Sequence, residues 1–376
     1  MKFAFSPEQE EFRSNLRRLF AERSPPKEVR RLMETAAGFD REAWRRLNTE
    51  LGLTAVRIPE AYGGQGFGFG ELCIVLEEMG RALVCAPFFS TAVLATGAIL
   101  NAGKEADKQA LLPSIASGDT VATLAWVEDN GRWDAAGTAL TVTPSAGSFR
   151  LDGHKSFVID GHTADLIIVL ARAPGSSGDN GLSLFAVDGN AQGLTRRALK
   201  TMDWTRKLAR LEFKGVEAKL LGEQDGAAGP FARTMTEAAI CLANEMAGVA
   251  ERLREDSLAY SKLRVQFGRQ IASFQSMKHK AADMLVDVEL AKAAAYYAAA
   301  ALDEGDNEVE AVAALAKAQA SEACLQTAIH AIQIHGGIGF TWDNDTHLWF
   351  KRAKSSEVML GDAHHHRELM MQRWAA

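Results

Sequence analysis

From about residue 231 to residue 374 the hydrophobic period is helical almost throughout, and no other feature constrains the fold as much. Four stretches, at about 231–265, 274–303, 308–335 and 344–374, carry apolar side chains at three- and four-residue steps. In the first of them Leu242, Met246, Val249 and Leu253 share one face. The connections are short, so the expectation is a bundle of four helices around a common core. Gly226-Ala-Ala-Gly229 marks its beginning.

Upstream, from residue 119, the texture is different. Thr138-Ala-Leu-Thr-Val-Thr, Phe149-Arg-Leu-Asp-Gly, Ser156-Phe-Val-Ile, Leu166-Ile-Ile-Val-Leu, Leu182-Ser-Leu-Phe-Ala-Val and Arg210-Leu-Glu-Phe are short β-rich runs. Asp152-Gly153 and Asp160-Gly161 read as turns between them, and 173–181 (APGSSGDNG) as the most flexible-looking loop. Before residue 119, helical periodicity alternates with Gly/Pro turns, starting from a Ser6 cap with Pro7 at the first helical position. The reading is an α+β multidomain chain. It has an N-terminal α-helical domain (1–118), a central β-barrel or sandwich domain (119–226) and a C-terminal four-helix bundle (227–376).

At 376 residues the chain can bury a large core. A formal net charge of −6, without a dense Lys/Arg block, argues against a nucleic-acid surface. Cys73, Cys85, Cys241 and Cys324 are scattered without metal-ligand spacing, as core thiols of a reducing compartment are. The opening MKFAFSPEQEEF has the pattern of neither a signal nor a transit peptide, and no apolar run is long enough to span a membrane. Cytoplasm is the expected compartment. The three consecutive histidines 364–366 point about 100° apart on a helix and do not converge on a metal.

Two motifs carry the functional signal. Arg264, Phe267, Gly268 and Gln275 occur in the order Arg-x-x-Phe-Gly-x-x-Ile-x-x-Phe-Gln, and a second stretch reads Gln333-Ile-His-Gly-Gly-Ile-Gly-Phe340. Alone, the first is an exposed helix cation and the second a glycine-stopped helix end. Together they resemble the flavin-binding half of an acyl-CoA dehydrogenase. The loop Pro59-Glu-Ala-Tyr-Gly-Gly-Gln-Gly66 also resembles that family, and lacks the flanking strand and acid of a dinucleotide fingerprint. Ala125-Trp-Val-Glu-Asp-Asn-Gly-Arg-Trp-Asp134 and Lys155-Ser-Phe-Val-Ile-Asp-Gly161 align with the family's two flavin-facing β segments. The resemblance covers nearly the whole chain.

What the resemblance implies is an FAD-dependent α,β-dehydrogenation of an acyl-CoA thioester to a trans-2-enoyl-CoA. Electron-transfer flavoprotein is then the expected acceptor, and a tetramer, homomeric or heteromeric, the expected assembly. Arg264 would hold the pyrophosphate with a charged fork, Phe267 would pack on the cofactor, and Gln275 and Gln333 would offer amides. Gly336 and Gly337 would let the backbone approach the diphosphate. Near the flavin ring, Val127 and Ile159 replace threonines of typical members and Phe157 replaces a tryptophan.

Departure from the family is sharpest at the base. The usual glutamate falls on Leu360 in Val358-Met-Leu-Gly-Asp362, and an alternative position on the preceding helix falls on Ala238. Glu245 is the first substitute, because Cys-Leu-Ala-Asn-Glu-Met-Ala-Gly surrounds it with apolar residues that favour a raised pKa. Glu237 and Asp362 are the others. The Leu-Gly-Asp segment also resembles mixed-tetramer relatives, including those acting on steroid side-chain thioesters, in which a partner subunit supplies what one chain lacks. Two readings stand side by side: an active dehydrogenase using Glu245, or an incomplete partner subunit that completes another chain's FAD site.

Overall fold

The computed structural model describes residues 5–145 and 147–374. Six helices open the chain: α1 (Pro7–Arg23), α2 (Pro26–Glu34), α3 (Arg41–Leu51), α4 (Phe69–Ala82), α5 (Thr96–Ala102) and α6 (Glu105–Ala116). Seven strands follow: β1 (Ala122–Ala125), β2 (Thr141–Ser145), β3 (Ser148–Ile159), β4 (Leu166–Arg172), β5 (Leu182–Asp188), β6 (Leu194–Ala198) and β7 (Leu208–Leu221). Then come α7 (Ala228–Leu263), a hairpin of β8 (Val265–Gln266) and β9 (Arg269–Gln270), α8 (Gln275–Glu304), α9 (Val309–His335), α10 (Thr346–Val358) and α11 (Ala363–Trp374).

The helical, β and helical order is as expected, and the chain packs as two units. One comprises Leu32–Gly68 and Cys85–Ala238. In it β4, β2, β3, β7 and β5 pair in a ring, closed by the antiparallel β4–β5 pairing, with β1 on β4 and β6 on β7. Closure leaves β1 and β6 as the strands paired on one side only, and inward positions such as Leu151, Val169, Phe185, Leu211 and Phe213 fill the interior. Asp152-Gly153 does not turn the chain. Gly153, at φ 134°, lies at a register shift inside β3, which continues to Ile159. The 173–181 loop is pinned by the buried Arg172 guanidinium, which donates to Thr138 O (2.8 Å), Asn180 O (2.8 Å) and Gly178 O (2.7 Å).

The other unit comprises Met1–Arg31, Phe69–Val84 and Ala239–Ala376. Ser6 caps α1 as expected, in a capping box with Gln9. Helices α4 and α7 cross where two glycines lie against opposing backbone. A Cβ at Gly248 would sit 1.9 Å from Glu77 O, and one at Gly80 2.2 Å from Glu245 O. In the second half of α8, Ala295, Ala298, Ala299 and Ala301 are buried. Small side chains on both helices let α8 and α9 approach closely.

Instead of one helix over 344–374, α10 and α11 are separated by a turn. Leu360 (φ 63°) and Gly361 (φ 101°) take left-handed backbone, and Asp362 recaps the chain by accepting from His365 N at 2.8 Å. All four cysteines are buried free thiols. Among the described residues no helix is long and apolar enough to cross a membrane, and no group of three or more His, Cys, Asp or Glu side chains is arranged to hold a metal ion.

Candidate functional site

The first motif is a hairpin. Arg264 follows the last turn of α7, its N–H donating to Tyr260 O and its carbonyl accepting from Ile271 N, both at 2.9 Å. Phe267 (φ 54°) and Gly268 (φ 77°) form the two-residue turn, both left-handed as a type I′ hairpin requires. A phenylalanine there is strained, and its ring is 91% exposed. The Arg264 side chain is exposed and has no ion-pair or hydrogen-bond partner among the described residues. Gln275, the first residue of α8, is exposed as well.

The second motif lies in the same unit. Helix α9 ends at His335, and Gly336 leaves it at φ 66°, ψ −146°, a conformation open to glycine almost alone. This is not the ordinary left-handed helix stop considered for these glycines. A Cβ added at Gly336 or Gly337 would meet nothing within 4 Å, so their backbone faces open space. Gln333 is exposed beside them. An unpaired guanidinium, two amides and bare glycine backbone match the donor set that a dinucleotide diphosphate needs. The residues present therefore fit FAD at its phosphate end.

The three β-unit residues divide differently. Val127 and Ile159 are buried, and their carbonyls are taken, by Ser156 N (2.8 Å) and by Thr123 Oγ1 (2.6 Å). Phe157 alone presents a side chain outward, half exposed at φ 56° in the β3 bulge between Lys155 and Val158. Two features here were not singled out from sequence. Lys155 is fully buried, donates to Trp126 O (3.0 Å) and Glu128 Oε1 (2.8 Å), and burial pushes its pKa down to about 8. Among the described residues the Trp126 indole N–H is buried without an acceptor. Phe157→Asn, which tolerates left-handed backbone, is expected to keep apo stability within about 1 kcal/mol while weakening flavin binding. Melting curves of the apoprotein beside FAD titration check both signs.

None of the three candidate bases stands free. Glu245 is buried against Arg352, whose Nη1 lies 3.0 Å from its Oε1. Glu237 is buried with Arg57 at 2.8 Å, Arg233 at 3.2 Å and Asn101 at 3.1 Å. Asp362 is exposed and spends its carboxylate on capping α11, which holds its pKa below the usual range. Ala238 and Leu360 are both buried. The Leu360 turn is tied by two groups that sequence reasoning missed. His366 Nε2 meets Leu360 O at 3.0 Å, and Lys317 Nζ donates to Gly361 O at 3.0 Å and Ser321 Oγ at 2.8 Å. Burial pushes Lys317 down to about 7 and His366 to about 3.

Models described as the acyl-CoA dehydrogenase N-terminal, middle and C-terminal domains match residues 6–119, 123–216 and 230–375. The chain is similar to the acyl-CoA dehydrogenase IpdE2 of Mycolicibacterium smegmatis, with 34% identity over 95% of each chain. Among solved structures it resembles the butyryl-CoA dehydrogenase of Megasphaera elsdenii (26% identity, TM-score 0.93, all of both chains). It also resembles the ChsE4-ChsE5 complex of Mycobacterium tuberculosis (26% identity, TM-score 0.89, 100% of this chain and 99% of that one). Matched from end to end by all three domain models, this chain belongs to the acyl-CoA dehydrogenase family, whose members are FAD-dependent oxidoreductases of acyl-CoA thioesters.

Proposed function

We propose that this chain is the cofactor-holding subunit of an acyl-CoA dehydrogenase whose catalytic base comes from a related partner chain. The observation that carries the reading is the Leu360 turn. An apolar, buried side chain stands where the resemblance puts the family's base, and Glu237, Glu245 and Asp362 are committed to cations or a helix cap. The ChsE4-ChsE5 structure, a complex of two named chains, supports a heteromeric assembly.

In this reading the division at 118/119 and 226/227 separates the functional parts. Arg264 pairs with the diphosphate, Phe267 covers it, and Gln275 and Gln333 donate amide hydrogen bonds. Gly336 and Gly337 allow close approach of the backbone. Val127, Phe157 and Ile159 give the isoalloxazine an apolar surface in place of side-chain hydrogen bonds. Leu360 excludes water at a position where it takes no proton. The cofactor supplies the two-electron acceptor for the hydride lost from the β carbon. The α proton needs a carboxylate, for which Glu237, Glu245 and Asp362 are already engaged elsewhere, and electron-transfer flavoprotein reoxidises the assembly in the cytoplasm.

The test uses the full-length tagged chain, purified alone and with the chains it brings down from its own cells. Both samples meet a panel of acyl-CoA thioesters without oxygen. The flavin band of the complex is expected to bleach with formation of enoyl-CoA, and that of the isolated chain to stay unchanged. Bleaching by the isolated chain, abolished in Glu245→Gln at unchanged flavin content, would restore the self-sufficient enzyme.

A further inference from the structure

The Arg264 hairpin and the glycine loop after His335 are far apart in sequence, yet one ring pair joins them. Tyr260, in the last turn of α7, stacks on His335, the last residue of α9, with ring centroids 4.3 Å apart and planes at 24°. Each ring sits one step from a cofactor-facing segment. The Tyr260 carbonyl accepts the Arg264 N–H, which fixes where the hairpin leaves its helix. His335 precedes Gly336, and a Cβ at Gly339 would lie 2.9 Å from the His335 Cβ and 3.3 Å from Ile332 O, so the loop folds back tightly against the end of α9.

The imidazole itself is held. Its Nδ1 faces Ala331 O at 2.8 Å, an acceptor only, so Nδ1 carries the proton and the ring plane is set from within α9. The Tyr260 hydroxyl reaches His335 O only at 3.5 Å, the outer limit of a hydrogen bond. The tie is therefore the stacked faces rather than the hydroxyl.

We infer that Tyr260 and His335 are positioning residues, a latch that sets the spacing between hairpin and glycine loop so that both engage one FAD diphosphate. The inference rests on the cofactor reading above. Two weak contacts add fully only when their separation is fixed in advance. With the latch lost, each segment can still touch the ligand, but ordering both becomes part of the binding cost.

The experiment is FAD titration, by flavin fluorescence, of the stripped oligomer that the tagged full-length chain forms or brings down. Tyr260→Phe keeps the stack and is expected to bind within about twofold of wild type, whereas Tyr260→Ala weakens binding about tenfold or more. The thermal midpoint of the FAD-free protein is read for each variant. A merely structural role would move that midpoint and leave the affinity of the folded fraction unchanged. Should Tyr260→Ala fail to fold, Tyr260→Leu, which keeps apolar contact without a stacking face, takes its place. Wild-type affinity in the Ala or Leu variant overturns the latch, and so does a Phe variant as weak as Ala. A wild-type oligomer that takes up no FAD sinks the cofactor reading itself, an outcome distinct from either.

Discussion

Replacing Arg352 with methionine is expected to lower unfolding stability by about 3–5 kcal/mol, the usual cost of leaving a buried charge without its counterion. Arg352 and Glu245 are both nearly inaccessible, and the guanidinium faces the carboxylate at 3.0 Å. Desolvating the two ions offsets much of their attraction, so the pair itself adds little net stability. Removing one member is another matter. Replacing both at once, as in Glu245→Leu with Arg352→Met, should recover most of the loss. Urea unfolding of the two single variants and the double variant measures this coupling. Bleaching separates the two roles of Glu245. Glu245→Gln lowers stability in either case, because the buried Arg352 loses its counterion. It loses turnover as well only where the carboxylate is the proton acceptor, whereas a purely structural partner of Arg352 leaves flavin bleaching by the complex intact.

Gly248→Ala is expected to destabilise by about 3 kcal/mol or more, at or beyond the upper end for an overpacked core. The new methyl would lie 1.9 Å from Glu77 O and 2.8 Å from the carbon that bears it. Backbone cannot yield as a side-chain tip can, so α4 and α7 must part. Glu77 is not a bystander at this crossing. It is buried, accepts from Tyr296 Oη at 2.8 Å and faces Arg13 at 3.1 Å, so separation also disturbs a polar cluster that reaches α1 and α8. A circular dichroism melt of Gly248→Ala beside Gly248→Ser would show it. A midpoint within a degree or so of wild type would mean that the helices slide apart at little cost.

Much of the fold was legible because it is written in local periods. The spans at 231–265, 274–303 and 308–335 are recovered as α7, α8 and α9 with their ends displaced by only a few residues. What escaped depends on distant partners. Nothing near Leu360 announces a left-handed leucine. His366 and Lys317, which hold its turn, act from α11 and α9. A long helical pattern was therefore read straight through a turn. Asp152-Gly153 has the composition of a turn but not its role, because pairing with β7 draws it into a bulge. Strands β1 and β6 were missed. Ala122–Ala125 is too short to show a period, and Leu194–Ala198 carries two arginines.

The site divides the same way. Arg264, Phe267 and the two glycines were visible as motif letters, and all four are exposed in the structure. The apolar neighbours of Glu245 correctly signalled burial. Its partner on α10 lies 107 residues further on, and no local pattern reveals it. Tyr260 and His335 were invisible for a similar reason, since a ring stack has no sequence spacing of its own.

The order of synthesis matters for the unit built from three chain segments. Helix α4 contributes an unbroken buried stretch from Leu72 to Gly80; α1 precedes it, but its partners α7 and α8 begin only at Ala228 and Gln275. During translation, at about 5–20 residues per second, that stretch waits on the order of 10–30 s for its partners. The other unit, which ends at Ala238, is by then fully emerged or nearly so. A nascent chain stalled near that point would leave exposed the face of α4 that α7 and α8 later cover, a natural ligand for chaperones and a starting point for aggregation.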